Sequence, residues 1–254
     1  MREALARLAG KALAAALLTD TRCPGCGRAV DRAPGGTPAL CADCLAASAP
    51  DGEVEADVPC PGCGEYPPAP QETAILCGRC REKPRPWGRV LVYGRYGGEL
   101  KEMILAYKFQ HRLDLGRQLM EYALAAYARG VAAHPEVAAC EGIVPVPLHG
   151  RRLLARGFNQ SREIARLLSA RRGLPIWQDA LRRVRRTVPQ MELAREARAE
   201  NIKGAFAADA RLLAGRGVLL LDDIMTTGAT IEECARAMLQ AGAARVDVLV
   251  LARA

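Results

Sequence analysis

The chain has 254 residues, ten cysteines and a formal net charge of +8, with half its residues hydrophobic and a quarter charged. That length gives one or two domains with a real core, and the composition is that of a soluble globular protein rather than a disordered one. No apolar run reaches the roughly eighteen residues a membrane span needs, so no membrane insertion is expected.

Residues 1–20 open with a basic start and an Ala/Leu-rich stretch, but Lys11 interrupts it and no small-residue cleavage site precedes Cys23. The segment reads as an amphipathic helix over about 2–18, not as an export signal. A cytoplasmic location follows as the expectation, with thiols kept reduced.

Eight cysteines then fall in four Cys-x-x-Cys pairs: Cys23/Cys26, Cys41/Cys44, Cys60/Cys63 and Cys77/Cys80. The turn inside each pair brings both thiolates to one side, and two pairs complete a tetrahedral sulfur shell. The stretches Cys23-Pro24-Gly25-Cys26-Gly27 and Cys60-Pro61-Gly62-Cys63-Gly64 nearly repeat each other. Pairing in sequence order closes each loop locally, at low entropic cost. Two structural zinc ribbons are expected, at 23–44 and 60–80, within a double-ribbon domain spanning 21–83. Cys140 and Cys234 have no partner at ligand spacing and read as small buried hydrophobes.

Residues 46–58 form a short acidic linker, and Lys83-Pro84-Arg85-Pro86 is a stiff boundary. From residue 88 onward, predicted strands and helices alternate. Strands are expected at 89–96, 143–147, 218–221 and 246–251; helices are expected at 99–107, 113–129, 159–170 and 230–241. This order predicts an open α/β domain over 88–254.

The positive charge is unevenly spread. Residues 1–83 hold 9 basic and 11 acidic side chains, whereas residues 151–203 hold 14 basic and 5 acidic ones. Zinc sharpens the contrast: each tetrathiolate carries a formal charge of about −2, so two ions lower the whole chain to about +4. The basic segment is either a solvated face or a surface for polyanions.

The most informative stretch runs from Val218 to Thr230, Val-Leu-Leu-Leu-Asp-Asp-Ile-Met-Thr-Thr-Gly-Ala-Thr. An apolar strand delivers Asp222 and Asp223 to its carboxyl end, where open α/β sheets bind ligands. Thr226, Thr227, Gly228, Ala229 and Thr230 then lead into a helix N-terminus, which suits an anion. Adjacent carboxylates would repel the same phosphate, but they suit the hydroxyls of the sugar that carries it. The combination points to a ribose 5-phosphate.

This stretch resembles the phosphoribosyl-pyrophosphate signature of type I phosphoribosyltransferases. The resemblance implies that Asp222 and Asp223, as the catalytic pair, hold the ribose hydroxyls while Thr226 to Thr230 hold the 5-phosphate. Further blocks are Val144-Pro145-Val146-Pro147-Leu148-His149-Gly150-Arg151-Arg152, then Arg156-Gly157-Phe158-Asn159-Gln160, then Arg183-Val184-Arg185-Arg186-Thr187. With the ribbons, they resemble the competence protein F (ComF) family. The implied fold is a type I phosphoribosyltransferase-like parallel sheet with helices on both faces, preceded by two small zinc ribbons.

By position, Pro145, Val146, Pro147, Arg151, Arg152, Arg156 and Arg183 would lie on the pyrophosphate side. Residues 182–186 would form a loop over the site. The resemblance implies Mg²⁺ bound with phosphoribosyl pyrophosphate, and a link to DNA uptake with single-stranded DNA and a competence helicase as candidate partners. The reaction it implies is displacement of pyrophosphate by a nitrogen nucleophile. The alternative reading is a non-catalytic protein that handles single-stranded DNA and keeps the phosphate pocket for binding alone. Aromatic residues are 4% of the chain, too few for a long base-stacking platform, so such binding would lean on charge.

Overall fold

A computed structural model describes residues 21–30, 40–48, 58–68, 73–148, 150, 153–154, 157–185, 187 and 200–254. The expected helix at 2–18 and most of the 46–58 linker lie outside the described residues.

Both cysteine-rich segments begin with the same knuckle. The N–H of Gly27 donates to Cys23 O at 2.8 Å, and that of Gly64 donates to Cys60 O at 2.8 Å. Gly27 and Gly64 both sit at positive φ, +77° and +67°, which the recurring glycine after each pair permits. Around the first knuckle, strands β1 (Thr21–Arg22) and β2 (Ala29–Val30) pair antiparallel, and helix α1 (Ala42–Ser48) carries the returning Cys44. In the second segment, helix α2 (Gly78–Glu82) carries Cys80.

The larger part is a four-stranded, all-parallel sheet in the order β3-β8-β7-β4, formed by β3 (Val90–Arg95), β4 (Gly142–Pro145), β7 (Gly217–Met225) and β8 (Arg245–Arg253). Helices α3 (Gly98–Phe109) and α4 (Gly116–Ala133) join β3 to β4, and α5 (Gln160–Arg172) follows β4. The antiparallel pair β5 (Leu181–Arg183) and β6 (Phe206–Ala208) comes next, then the short helix α6 (Ala210–Leu213). Helix α7 (Ala229–Gln240) joins β7 to β8. No described helix is long and apolar enough to cross a membrane.

The sheet is covered on both sides, and the period-two alternation of each strand assigns its residues. Leu219 and Leu221 of β7 and Leu249 and Leu251 of β8 join the apolar cluster with α3, α4 and α5. Val218 and Leu220, with Val246, Val248 and Val250, join the opposite cluster with α7. The two cysteine groups divide between these faces. Cys23 and Cys41 pack into the first cluster; Cys60, Cys63 and Cys80 pack into the second.

Docking differs in kind on the two faces. At the first, Ser48 and the Tyr122 hydroxyl are hydrogen-bonded, and Tyr93 stacks on Tyr122 with ring centroids 4.2 Å apart. At the second, the Trp87 indole N–H donates to Gly62 O at 2.7 Å, and a Cβ on Gly64 would fall 2.7 Å from Val90 and Val92. The second knuckle therefore lies flush on β3.

Three expectations need correcting. The strand expected at 218–221 continues through Asp222 and Asp223 to Met225, because β8 keeps pairing with it as far as Met225 opposite Arg253. The second helix begins at Gly116, after a 3-10 turn at Leu113–Leu115. Residues 182 and 183, the start of the expected loop, belong with Leu181 to β5, paired with β6.

Gly130 gives a test of how closely α4 seats on β3. Alanine normally stabilises an exposed helix interior over glycine by about 1 kcal/mol. Here a Cβ would meet Leu91 Cδ2 at 2.3 Å and its Cγ at 2.9 Å, and Leu91 is buried. Gly130→Ala is predicted to destabilise instead, by roughly 1–3 kcal/mol as overpacking does, read as a lower urea midpoint at unchanged slope.

Candidate functional site

The site lies at the carboxyl edge of the sheet, where β7 outruns β4. The ladder between them ends at Pro145 opposite Leu221, with the Val146 N–H donating to Leu221 O at 2.9 Å. Asp222 is the next residue, on an edge that β4 no longer covers. The Asn159 side chain donates to Val146 O at 3.0 Å and accepts from the Ser161 N–H at 3.1 Å, capping α5. Asn159 thereby ties the end of β4 to the start of α5. That places the Ser161 hydroxyl to donate to Asp222 Oδ1 at 3.0 Å. The Asp223 N–H donates to the same oxygen at 2.9 Å.

Lys108, from the last turn of α3, meets Asp223 Oδ2 at 2.7 Å, and both side chains are nearly buried. No such cation contacts Asp222 among the described residues. Burial and the charge of Asp223 push its carboxyl up to about 7, against the pull of Lys108, the Asp223 N–H and Ser161. The pair is asymmetric: one carboxylate is neutralised by an ammonium, and the other is held in a place that disfavours its charge.

Past Met225 the chain turns through Thr226, Thr227 and Gly228 into α7. Gly228 sits at φ +81°, and a Cβ there would fall 2.8 Å from Met225 Cε. The conformation therefore favours glycine, while the flexible end of Met225 could yield to a side chain. The Thr227 hydroxyl accepts from the Ala229 N–H at 3.3 Å. The Glu232 N–H is bonded to Gly228 O at 2.8 Å. The N–H groups of the turn before it lie outside the helical ladder, at the positive end of the helix dipole.

Asp222, Asp223, the loop from Thr226 to Thr230, and Pro145, Val146 and Pro147 are thus gathered at one edge. Arg183 is on β5, across α7. Its guanidinium lies over the Phe206 ring at 5.4 Å, and its charge is felt by the buried Cys234. Arg151, Arg152 and Arg156 lie outside the described residues, as do residues 188–199 beyond the expected loop. Beside the acid pair, a cavity of about 690 Å³ opens where the ends of α3, α4 and α5 meet, lined by Tyr107, His111, Leu113, Met120, Leu154 and Glu163 among others. Burial, then the charges of Glu163 and Asp223, push Tyr107 up to about 12.

The metal-binding groups form as their spacing predicts. Within each of Cys23/Cys26/Cys41/Cys44 and Cys60/Cys63/Cys77/Cys80, all four sulfurs lie within 4.8 Å of one another. Cys26 and Cys41 sulfurs are 3.6 Å apart, and Cys63 and Cys77 sulfurs 3.7 Å. Four thiolates about 2.3 Å from a tetrahedral zinc stand about 3.8 Å from each other, so the groups fit the ion. These separations are far from the roughly 2.05 Å of a disulfide, and all eight thiols are free. The Cys41 N–H donates to Cys23 Sγ at 3.2 Å and the Cys77 N–H to Cys60 Sγ at 3.3 Å, the outer-shell support that thiolate ligands use.

A family model for the phosphoribosyl transferase domain matches residues 159–254. Among curated relatives, the DNA utilization protein YhgH of Escherichia coli K12 is 34% identical over 84% of this chain and 90% of its own length. Competence protein F of Haemophilus influenzae is 31% identical over 76% of this chain and 85% of its own. The chain belongs to the competence protein F family. In this member, several groups that shape the site escaped the sequence reading. Lys108 and Ser161 are brought to the acids only by the packing of α3 and α5. Arg253 is the lone charge at the end of the apolar strand β8, and that isolation was a usable signal.

The raised Asp222 predicts a signature in the ligand-free protein. A carboxyl near 3.8 when unfolded and about 7 when folded costs nothing below the unfolded value. Its cost grows as pH climbs between the two and is complete above the folded value. Asp222→Asn is predicted to raise Tm at pH 8 by roughly 2–4 °C, the shift that about 1 kcal/mol gives a domain of this size, and to leave it nearly unchanged at pH 4.5. Metal analysis is expected to return two zinc ions per chain.

Proposed function

We propose that the protein binds phosphoribosyl pyrophosphate with Mg²⁺ at this edge, as a phosphoribosyltransferase acting in the use of incoming DNA. The observation that carries the reading is the union of an under-neutralised acid pair with a glycine-turned, hydroxyl-bearing loop at a helix N-terminus. The matched family model supports the chemistry. The names of the relatives, a DNA utilization protein and a competence protein, support the setting. The reading places the protein in the cytoplasm, with the zinc-holding part, 21–83, and the phosphoribosyl part, 88–254, working as one unit.

In this reading the 5-phosphate sits against the Thr226 to Thr230 loop and the ribose hydroxyls donate to Asp222 and Asp223. Lys108 holds Asp223 in place and keeps the pair from repelling the ligand. Mg²⁺ keeps waters and takes substrate oxygens, so it needs few protein ligands; Asp222 and Asp223 are the carboxylates that would face it, and it would neutralise charge on the leaving pyrophosphate. The bond from the ribose anomeric carbon to pyrophosphate breaks and one to nitrogen forms, while the nitrogen gives up its proton. Charge builds on the sugar between these events. The acid pair is placed to stabilise it, and the loop to fix the sugar's orientation. Pro145, Val146 and Pro147, with Arg151, Arg152 and Arg156, would border the pyrophosphate, whereas Arg183, across α7, would reach it only by moving, and the cavity beside Tyr107 offers room for the acceptor.

Calorimetry with phosphoribosyl pyrophosphate and Mg²⁺ tests the reading. Micromolar binding is expected, falling at least tenfold in the Asp222→Asn/Asp223→Asn double variant. No binding at millimolar ligand by a folded protein holding two zinc ions would overturn it. Catalysis requires pyrophosphate release that depends on an added nitrogen acceptor. Tight binding of single-stranded DNA that weakens steeply with salt, without such release, would favour the binding-only alternative.

A further inference from the structure

Arg253 ends β8 with its side chain 3% exposed, and its guanidinium spans two sites. Its Nε donates to Cys63 O at 3.0 Å, on the second cysteine knuckle. One terminal nitrogen, Nη1, is shared among Met225 O at 3.1 Å, Thr226 O, where the phosphate loop begins, and Ala254 O, and the other, Nη2, faces Glu65 at 3.6 Å. Two further contacts join the same partners. Trp87, bonded to Gly62 O at 2.7 Å, lies 3.7 Å from where a Gly228 Cβ would be. Arg85, just past Cys80 in the chain, pairs with Glu232 in the first turn of α7 at 2.9 Å. The loop is thus braced at its start, at its glycine and at its exit, each time from the second cysteine group.

The first group reaches elsewhere. Its Pro24 carbonyl accepts from Arg112 at the corner between α3 and α4, and Ser48 meets Tyr122 of α4. Among the described residues, none of these contacts touches residues 226–230.

We propose that metal occupancy of the second four-cysteine group and binding of a sugar phosphate at the loop are coupled, with Arg253 as the positioning residue between them. The inference rests on reading residues 226–230 as the phosphate site. Metal fixes the Cys60–Cys63 knuckle; the fixed Cys63 carbonyl orients the guanidinium; the guanidinium holds the Met225 and Thr226 carbonyls away from the anion and leaves the loop N–H groups facing it. Coupling of binding free energies is reciprocal. Metal at the second group tightens sugar-phosphate binding, and the sugar phosphate retains that metal. The metal of the first group is indifferent.

The test uses the full zinc-loaded chain with ribose 5-phosphate, which lacks the pyrophosphate that would itself chelate zinc. Zinc release to a chromogenic chelator is followed with and without the sugar phosphate. One of the two ions is expected to leave at least threefold more slowly when the loop is filled, and the other at an unchanged rate. Arg253→Gln is expected to abolish that protection while both ions still bind, and Arg112→Gln, which cuts the first group's contact, to preserve it. Equal protection of both ions, or of neither while calorimetry shows ribose 5-phosphate bound, would overturn the coupling. If ribose 5-phosphate and phosphoribosyl pyrophosphate both fail to bind, the phosphate-site reading falls. The mechanical link is then read by hydrogen exchange alone. Cys77→Ser should speed exchange at residues 225–230 and Cys26→Ser should not; equal effects would overturn the link as well.

Discussion

The mismatch in length between β7 and β4 creates the site. In a parallel sheet each interior strand is satisfied on both edges and both faces. β7 has nine residues and β4 four, so their ladder stops at Leu221 while the ladder to β8 runs on to Met225. At Asp222 the strand has one neighbour instead of two. The space β4 vacates is filled by the N-terminus of α5, whose cap Asn159 reaches back to Val146. A carboxylate is tolerable there because it accepts from Ser161 and from the next backbone N–H. A β4 four residues longer would have paired β7 as far as Met225 and sealed the edge.

Covering both faces of the sheet also explains why the cysteine groups are two rather than one. The helical layer of α3, α4 and α5 and the layer of α7 with the β5–β6 pair each leave a margin, and each margin takes one four-cysteine group. The groups share a sequence pattern and a knuckle geometry, yet their surroundings diverge. Nothing lies within 4 Å of a Cβ placed on Gly27, whereas one on Gly64 would collide with β3. The second group lies against the strands that build the site and the first against the helices behind it.

What could be read from the sequence follows from how local each feature is. The cysteine pairs and the Val218 to Thr230 stretch are legible because their chemistry depends on neighbours within a few residues. The alternation of apolar strands and helices is legible for the same reason. The basic excess at 151–203 was a weaker guide. Several of its described arginines face local acids, as Arg166 does Glu163 at 2.8 Å and Arg182 does Asp179 at 3.4 Å. Such exposed pairs are weak and leave the charge available, so composition alone could not assign that face. Lys108 and Ser161 stand 115 and 61 positions from their carboxylates. Contacts at that range depend on strand order, which no short pattern encodes. The end of β7 was misjudged because aspartates usually terminate strands; here β8 supplies enough pairing to carry the strand through them.

Two charges, one half-buried and one buried, then define the site from opposite sides. Asp222 is a negative charge placed where burial and its neighbour resist it. Arg253 is a positive charge withdrawn from water and satisfied almost wholly by carbonyl oxygens. A guanidinium can be buried at tolerable cost only if its fixed fork of donors meets acceptors in matching directions. That requirement runs backwards onto the acceptors: Cys63, Met225 and Thr226 must each hold their carbonyls where the fork points. An ammonium in the same place would satisfy fewer of them and constrain none in direction. The rigidity of the loop is therefore a by-product of burying Arg253. On the proposed coupling, the carbonyls that bind the guanidinium are kept from the side where the N–H groups of the α7 N-terminus would meet an anion. A cation that is itself out of reach of any ligand can in this way shape an anion site.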